Sequence, residues 1–190
     1  MHCTYPNCYQ KANLHLSWIE DRHCAKEQHL CEPHAKAVLT SEPWPVVKFS
    51  LPRQARADAR QFDFLLIVIS EIHDQQVVYL QEVGGSYRIP LLIGIFEAMS
   101  LQRILKREVY PRPLTHDVIA SAIRLLDGEV CDVTVNKLES HTYFAEARIE
   151  RRGDLLRLDA RPSDAFMLAA LFDCPIYYAE EVLRATIPNV

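Results

Sequence analysis

The chain has 190 residues, a formal net charge of -4 and a pI near 6.1, with 49% hydrophobic and 24% charged residues. This composition suits a soluble globular protein with room for one ordinary domain and a small module, and its acidity argues against a non-specific nucleic-acid coat protein. No stretch approaches the roughly 18 apolar residues of a membrane helix. The opening Met1-His2-Cys3 lacks the basic and apolar regions of a secretory signal, so no membrane partner and a cytoplasmic location are expected.

Four of the six cysteines fall within the first 31 residues. In a reducing compartment such clustering favours metal ligation over disulfides. Cys3 and Cys8 are separated by four residues, and Cys31 and His34 by two. Between the pairs lie two strand-like stretches, 14–19 and 26–30, joined by Glu20-Asp21-Arg22-His23. A hairpin brings its ends together, so three thiolates and one imidazole would meet as a tetrahedral zinc site. Four protein ligands leave no open position, which makes the expected zinc structural, supplying folding energy that so short a module lacks. The competing reading is scattered surface thiols and histidines, with Cys24, His2, His15 and His23 as rival ligands set away from the joined ends. The stretch Ala12-Asn13-Leu14-His15-Leu16 and the run His29-Leu30-Cys31-Glu32-Pro33-His34, with Cys3 and Cys8, resemble the zinc hairpin of the protein-arginine-kinase activator proteins. That family usually has cysteine where His34 stands. A protein partner docking through this hairpin is a further expectation.

The module is expected over 1–38, followed by a linker over 39–60 and a second domain over 61–190. Ser41-Glu42-Pro43-Trp44-Pro45, Pro52 and the mixed-charge run to Arg60 read as linker. Beyond it, β-branched and aromatic residues predict strands over 62–72, 77–82 and 87–93, with a turn at Gly84-Gly85. Helical spacing follows over 95–107. Thr115 reads as the N-cap of a helix over 116–127, stopped by Gly128, with Asp117 placed favourably in its first turn. Alternation predicts half-buried strands over 130–137 and 142–150, then a short strand over 155–159. Arg161-Pro162-Ser163-Asp164 opens a helix whose body, 165–172, is apolar on all sides and therefore buried. A strand over 175–178 and a tail helix over 180–185 complete the chain. The fold class is α+β: a mixed, mostly antiparallel sheet with three main helices, preceded by the small zinc-bound β-hairpin module. Cys131 and Cys174 read as core fillers.

Two helix openings share a pattern: Arg112-Pro113-Leu114-Thr115-His116-Asp117 and Asp159-Ala160-Arg161-Pro162-Ser163-Asp164. Each places an arginine beside the free N–H groups of a helix start, an arrangement that suits a phosphate. His116 adds a group that titrates near neutrality and can move protons. Glu97, Asp117, Asp159 and Asp164 are carboxylates able to hold Mg²⁺ or Mn²⁺, which would stabilise charge during phosphodiester cleavage. The structural alternative has Thr115 and Ser163 as caps, Asp117 and Asp164 as dipole partners, and the arginines paired with Asp159 or Glu97.

These motifs carry a second resemblance. Leu80-Gln81-Glu82, Arg88-Ile89-Pro90-Leu91-Leu92-Ile93-Gly94 with Glu97-Ala98, the two helix openings, Cys174-Pro175-Ile176-Tyr177 and Glu180-Glu181-Val182-Leu183 look like the bifunctional nuclease domain, in the right order over about residues 62–183. Phe96 and Phe166-Met167 depart from it by size and leave the polar set intact. The resemblance implies an α+β domain that cleaves DNA and RNA. On it, His116, Arg161, Glu97, Asp117 and Asp164 are expected catalytic residues, and Arg112, Thr115 and Ser163 substrate contacts; Cys3, Cys8, Cys31 and His34 are the expected zinc ligands. The alternative is a non-catalytic nucleotide- or phosphate-binding regulatory module with a zinc-dependent docking hairpin. A homo-oligomer interface is a third expectation.

Overall fold

The computed structural model describes residues 1–41, 44, 58–85 and 87–186. The expected linker over 39–60 lies mostly outside these residues. The chain forms two compact units, residues 1–50 with 64–107 and residues 51–63 with 108–190.

In the first unit, β1 (Leu14–Glu20) and β2 (His23–Leu30) form an antiparallel hairpin, Leu14 opposite Leu30 and Glu20 opposite His23. Asp21 and Arg22 both have positive φ, as a two-residue hairpin turn matching strand twist demands. Helix α1 (Glu32–Thr40) follows at once, with Pro33 in its first turn where a missing N–H costs nothing. No helix was expected here, although Glu32-Pro33 after Cys31 is a start signal. The second half of β3 (Ala59–Ser70) pairs antiparallel with β1, Ser70 opposite Leu14 and Leu66 opposite Trp18. β4 (Gln76–Glu82) and β5 (Arg88–Ile93) form another hairpin, and α2 (Ile95–Leu105) follows. The core is built on Leu16, Trp18, Leu30, Leu65, Leu66 and Val68, with Cys3, Cys31 and Ala35 inside it. Trp44 joins it edge-on to Trp18 and Tyr79, its indole N–H donating to the Leu39 carbonyl at 3.1 Å.

In the second unit, α3 (Thr115–Leu125) leads into the long hairpin of β6 (Gly128–Glu139) and β7 (Thr142–Arg151). β8 (Asp154–Ala160) pairs antiparallel with β7 along its whole length, through a two-residue turn at Arg152 and Gly153, both at positive φ. Helix α4 (Pro162–Phe172) then packs on β6 and β7, and β9 (Ile176–Ala179) lies parallel to β6. Residues 59–62 of β3 pair antiparallel with β9, and α5 (Glu180–Thr186) closes the described chain. Phe166, Ala165 and Ala169 of α4 are fully buried against the sheet, as are Val133, Val135, Ala147, Ile176 and Tyr178.

The architecture is α+β, with a mixed, mostly antiparallel sheet in which β9 runs parallel to β6, and α2, α3 and α4 are the longest helices among the described residues. Glycine does not terminate α3. Asp127, at φ 59°, takes the left-handed position, and Asp173, at φ 50°, does the same after α4. Short polar side chains tolerate that conformation best after glycine. Cys174 is buried as expected, whereas Cys131 is only half-buried, at a register shift in β6.

Candidate functional site

Cys3, Cys8, Cys31 and His34 bring their ligand atoms within 4.8 Å of one another. Cys31 Sγ lies 3.2 Å and Cys3 Sγ 3.5 Å from His34 Nδ1, and the Cys8 and Cys31 sulfurs are 3.9 Å apart. Tetrahedral zinc with bonds of about 2.0–2.3 Å sets ligand atoms roughly 3.4–3.8 Å apart, so the spacing fits that ion. Cys31 precedes α1 and His34 sits in its first turn, one helical turn apart. Tyr5 stacks on the His34 ring at 4.0 Å and fixes its plane. Burial pushes the Cys3 thiol up, but backbone N–H groups of Cys31 and Tyr5, with the His34 and Cys8 side chains, outweigh it and bring it down to about 6. A thiolate is the form that ligates metal. Among the described residues no other set of three or more Cys, His, Asp or Glu converges so tightly, and the rival residues Cys24, His2, His15 and His23 stand outside it.

His15 and His29 instead form a separate polar pair. Their Nδ1 atoms are 2.8 Å apart, and His15 Nε2 is 3.1 Å from a Glu71 carboxylate oxygen. They line a cavity of about 630 Å³ within the first unit. Burial, then the neighbouring His15, holds His29 below the usual imidazole range.

In the second unit the two helix starts meet. His116, in the first turn of α3, places Nε2 3.1 Å from Asp164 Oδ1 in the first turn of α4. Arg161, the N-cap of α4, grips the same carboxylate with a fork: Nε to Oδ2 at 2.8 Å and Nη2 to Oδ1 at 3.1 Å. Burial pushes the Asp164 carboxyl up, but Arg161 and then His116 outweigh it and hold it below the ordinary range. Arg161 remains open to water, its side chain 66% exposed, while His116 is mostly covered. The helices are also tied further along: Arg124 of α3 donates to the Leu171 carbonyl at 2.8 Å and lies over the Phe172 ring. Because an ionised carboxylate only accepts, the His116–Asp164 bond puts the proton on Nε2 and leaves Nδ1 as the basic nitrogen of the neutral ring.

The other expected residues are placed less tightly. Leu114, not Thr115, is the N-cap of α3, and its N–H donates to Asp117 Oδ2 at 2.9 Å. Asp117 therefore works as a cap, and Thr115 is the first helical residue, exposed to solvent. Ser163 sits inside the first turn of α4 and is buried. Arg112 is exposed. Glu97 belongs to the first unit, where its carboxylate folds back over Gly94 at the start of α2. The sequence did not reveal the direct His116–Asp164 bond, because 48 positions separate the two residues.

The second unit is thus an α+β domain with two convergent helix starts that carry histidine, arginine and aspartate. Residues 78–189 match the bifunctional nuclease domain, and the chain belongs to that family. It is also 32% identical over 117 residues to two uncharacterized proteins of Mycobacterium tuberculosis, from strains CDC 1551 / Oshkosh and ATCC 25618 / H37Rv. Each match covers 62% of this chain and 70% of the relative. No helix among the described residues is long and apolar enough to cross a membrane.

Proposed function

We propose that the protein is a nuclease that hydrolyses phosphodiester bonds of DNA and RNA at the junction of α3 and α4. The observation that carries this is the His116–Asp164–Arg161 chain at two helix starts, inside the segment that matches the nuclease family. Asp164 orients the His116 ring, whose Nδ1 takes a proton from the attacking water. The P–O bond to the leaving oxygen breaks as the water oxygen bonds to phosphorus, and the leaving oxygen keeps that electron pair and takes a proton from solvent. Arg161 has exposed N–H groups beside the first-turn amides of α4, and these hold the phosphate oxygens. Arg112 and Thr115 extend the same anion-binding edge.

A bound Mg²⁺ or Mn²⁺ would supply Lewis-acid stabilisation of the phosphorane charge. Asp164 and Asp117 do not fit that ion as they stand, since both Asp164 oxygens and the Asp117 cap oxygen are already engaged. Asp164 acts instead as a positioning residue for His116. In the first unit, Cys3, Cys8, Cys31 and His34 hold a structural zinc, as in the hairpins that this segment resembles, and the resulting surface docks a protein partner.

The test is incubation of homogeneous protein with plasmid DNA and with RNA in Mg²⁺, Mn²⁺ or EDTA. Cleavage by wild type and its loss in His116→Ala, with unchanged folding, are expected. No turnover under any cation overturns the reading. A second reading, a non-catalytic phosphate-binding module, is favoured by the fully engaged state of Asp164. Calorimetry with nucleotides and oligonucleotides separates the two: saturable binding without cleavage supports the module.

A further inference from the structure

The feature of the second unit that the site does not absorb is strand β8. It is exposed along almost its whole length, and Leu155, Leu156 and Leu158 are 52%, 47% and 40% exposed. One edge pairs with β7 without any register shift, and no described strand pairs with the other. The edge is a regular seven-residue strand with three leucines and no proline, lysine or bulge, and its only charges are Asp154, Arg157 and Asp159.

The apolar surface extends beyond the strand. Directly opposed residues share a sheet face, so Leu156 lies beside Ile149 and Leu158 beside the fully buried Ala147. These two leucines therefore lie on the core face, at the point where the core runs out. Helix α3 is anchored beyond both ends of β8. Its first turn is held at the end of β8 by the His116–Asp164 bond. Its last turn is held at the start of β8, where Arg151, the cross-strand neighbour of Asp154, donates Nε to the Leu126 carbonyl at 2.9 Å. Along its outer side α3 presents Leu114, Val118 and Leu125, spaced as one helical stripe and all exposed.

We infer that this edge is a homodimer interface in which β8 pairs antiparallel with β8 of a second copy about a two-fold axis at Leu158. The charges on the strand select both the occupant and the register. Within the chain, Arg157 stands opposite Arg148, which Asp132 holds, and Asp159 stands opposite Glu146, to which Arg157 reaches diagonally at 3.3 Å. A second copy centred on Leu158 places its Asp159 beside Arg157 and its Arg157 beside Asp159, setting opposite charges against each other at both positions. Leu158 then meets its own counterpart, and Leu156 meets Ala160. Centring on Arg157 would oppose two arginines. Centring on Leu156 would set Asp154 against Leu158. A two-fold axis makes the contact self-complementary and closed, so it yields dimers rather than filaments.

The experiment is analytical ultracentrifugation of the full chain, wild type and variants, at micromolar concentrations. Wild type is expected to be a dimer, and Leu158→Asp, which sets two carboxylates on the axis, a folded monomer. Arg157→Asp alone and Asp159→Arg alone should each weaken the dimer by about tenfold or more, because each creates a like-charge contact across the interface. The double swap R157D/D159R should restore it. That restoration separates register-specific pairing from a folding defect. A monomeric wild type overturns the proposal, as does a dimer indifferent to Leu158→Asp. Failure of the double swap to restore the affinity lost in the single variants overturns the register. Protection from hydrogen exchange, in a monomer, of those β8 amides that point away from β7 would show that another segment of the chain covers the edge, and would also overturn it.

Discussion

Asp164→Asn isolates the link between the two helix starts. The carboxylate accepts two bonds from Arg161, at 2.8 and 3.1 Å, and one from His116 at 3.1 Å. A bond to a charged group contributes about 1.5–3 kcal/mol when shielded. Arg161 is 66% exposed, which reduces its share to about 1 kcal/mol or less. Asparagine keeps one acceptor but turns an N–H group toward a donor-only guanidinium. The expected net loss is about 1–2 kcal/mol, or roughly 3–6 °C in Tm. The pH dependence follows from the depressed Asp164 value. The stabilisation is fully present above the unfolded carboxylate pKa of about 3.9, and it is lost as pH falls through the lower folded value. Urea denaturation of wild type and variant at pH 7, repeated stepwise down to acid, should show two curves separated at neutrality and merging below that point. Equal stability at pH 7, or a gap that persists in acid, would refute the ion-pair reasoning.

Other outcomes follow from the same structure. Metal analysis should find one zinc per chain, and Cys31→Ser should abolish it and destabilise the first unit, because two ligand cysteines lie inside its core. Asp132→Ala should cost about 3–5 kcal/mol by chemical denaturation. Its carboxylate is almost fully buried and holds the Arg148 guanidinium across β6 and β7, leaving that charge unpaired when removed. Phe166→Ala should cost about 3–5 kcal/mol through cavity formation and, by loosening α4, should also disturb the His116–Asp164 bond, readable in histidine side-chain NMR. His29 is held below the usual imidazole range by burial and His15. Its contribution to stability is therefore complete above about pH 6.5 and lost as pH falls through the lower folded value. His29→Gln should flatten that part of the pH–stability curve.

Much of the fold was legible because it rests on local signals. Alternation in β6 and β7, the Gly153 turn and the all-apolar body of α4 each write one element directly into the sequence. What escaped depends on distant partners or on cap geometry. β3 begins at Ala59, three residues before the apolar run, because residues 59–62 find their ladder on β9, more than a hundred positions away. Helix α1 went unread although its proline start signal was present, since Cys31 and His34 were read only as ligands. The Thr115 cap was displaced by one residue because Asp117 reaches back to the Leu114 N–H, which a hydroxyl at Thr115 does not do here. At the candidate site, residue types and helix starts were visible in the motifs. The pairing of His116 with Asp164 was not, since it depends on how α3 and α4 pack.

In the proposed phosphodiester hydrolysis the ring of His116, oriented by Asp164, moves the proton. The most direct measurement of that role is the single-turnover rate on one fluorescent DNA and one RNA oligonucleotide, for wild type and His116→Gln purified identically and matched in melting temperature. A fall of about 100-fold or more on both substrates is expected, in line with the loss of a general base. Equal rates for the two proteins, or a wild type that binds the oligonucleotides and never cuts them, would contradict it.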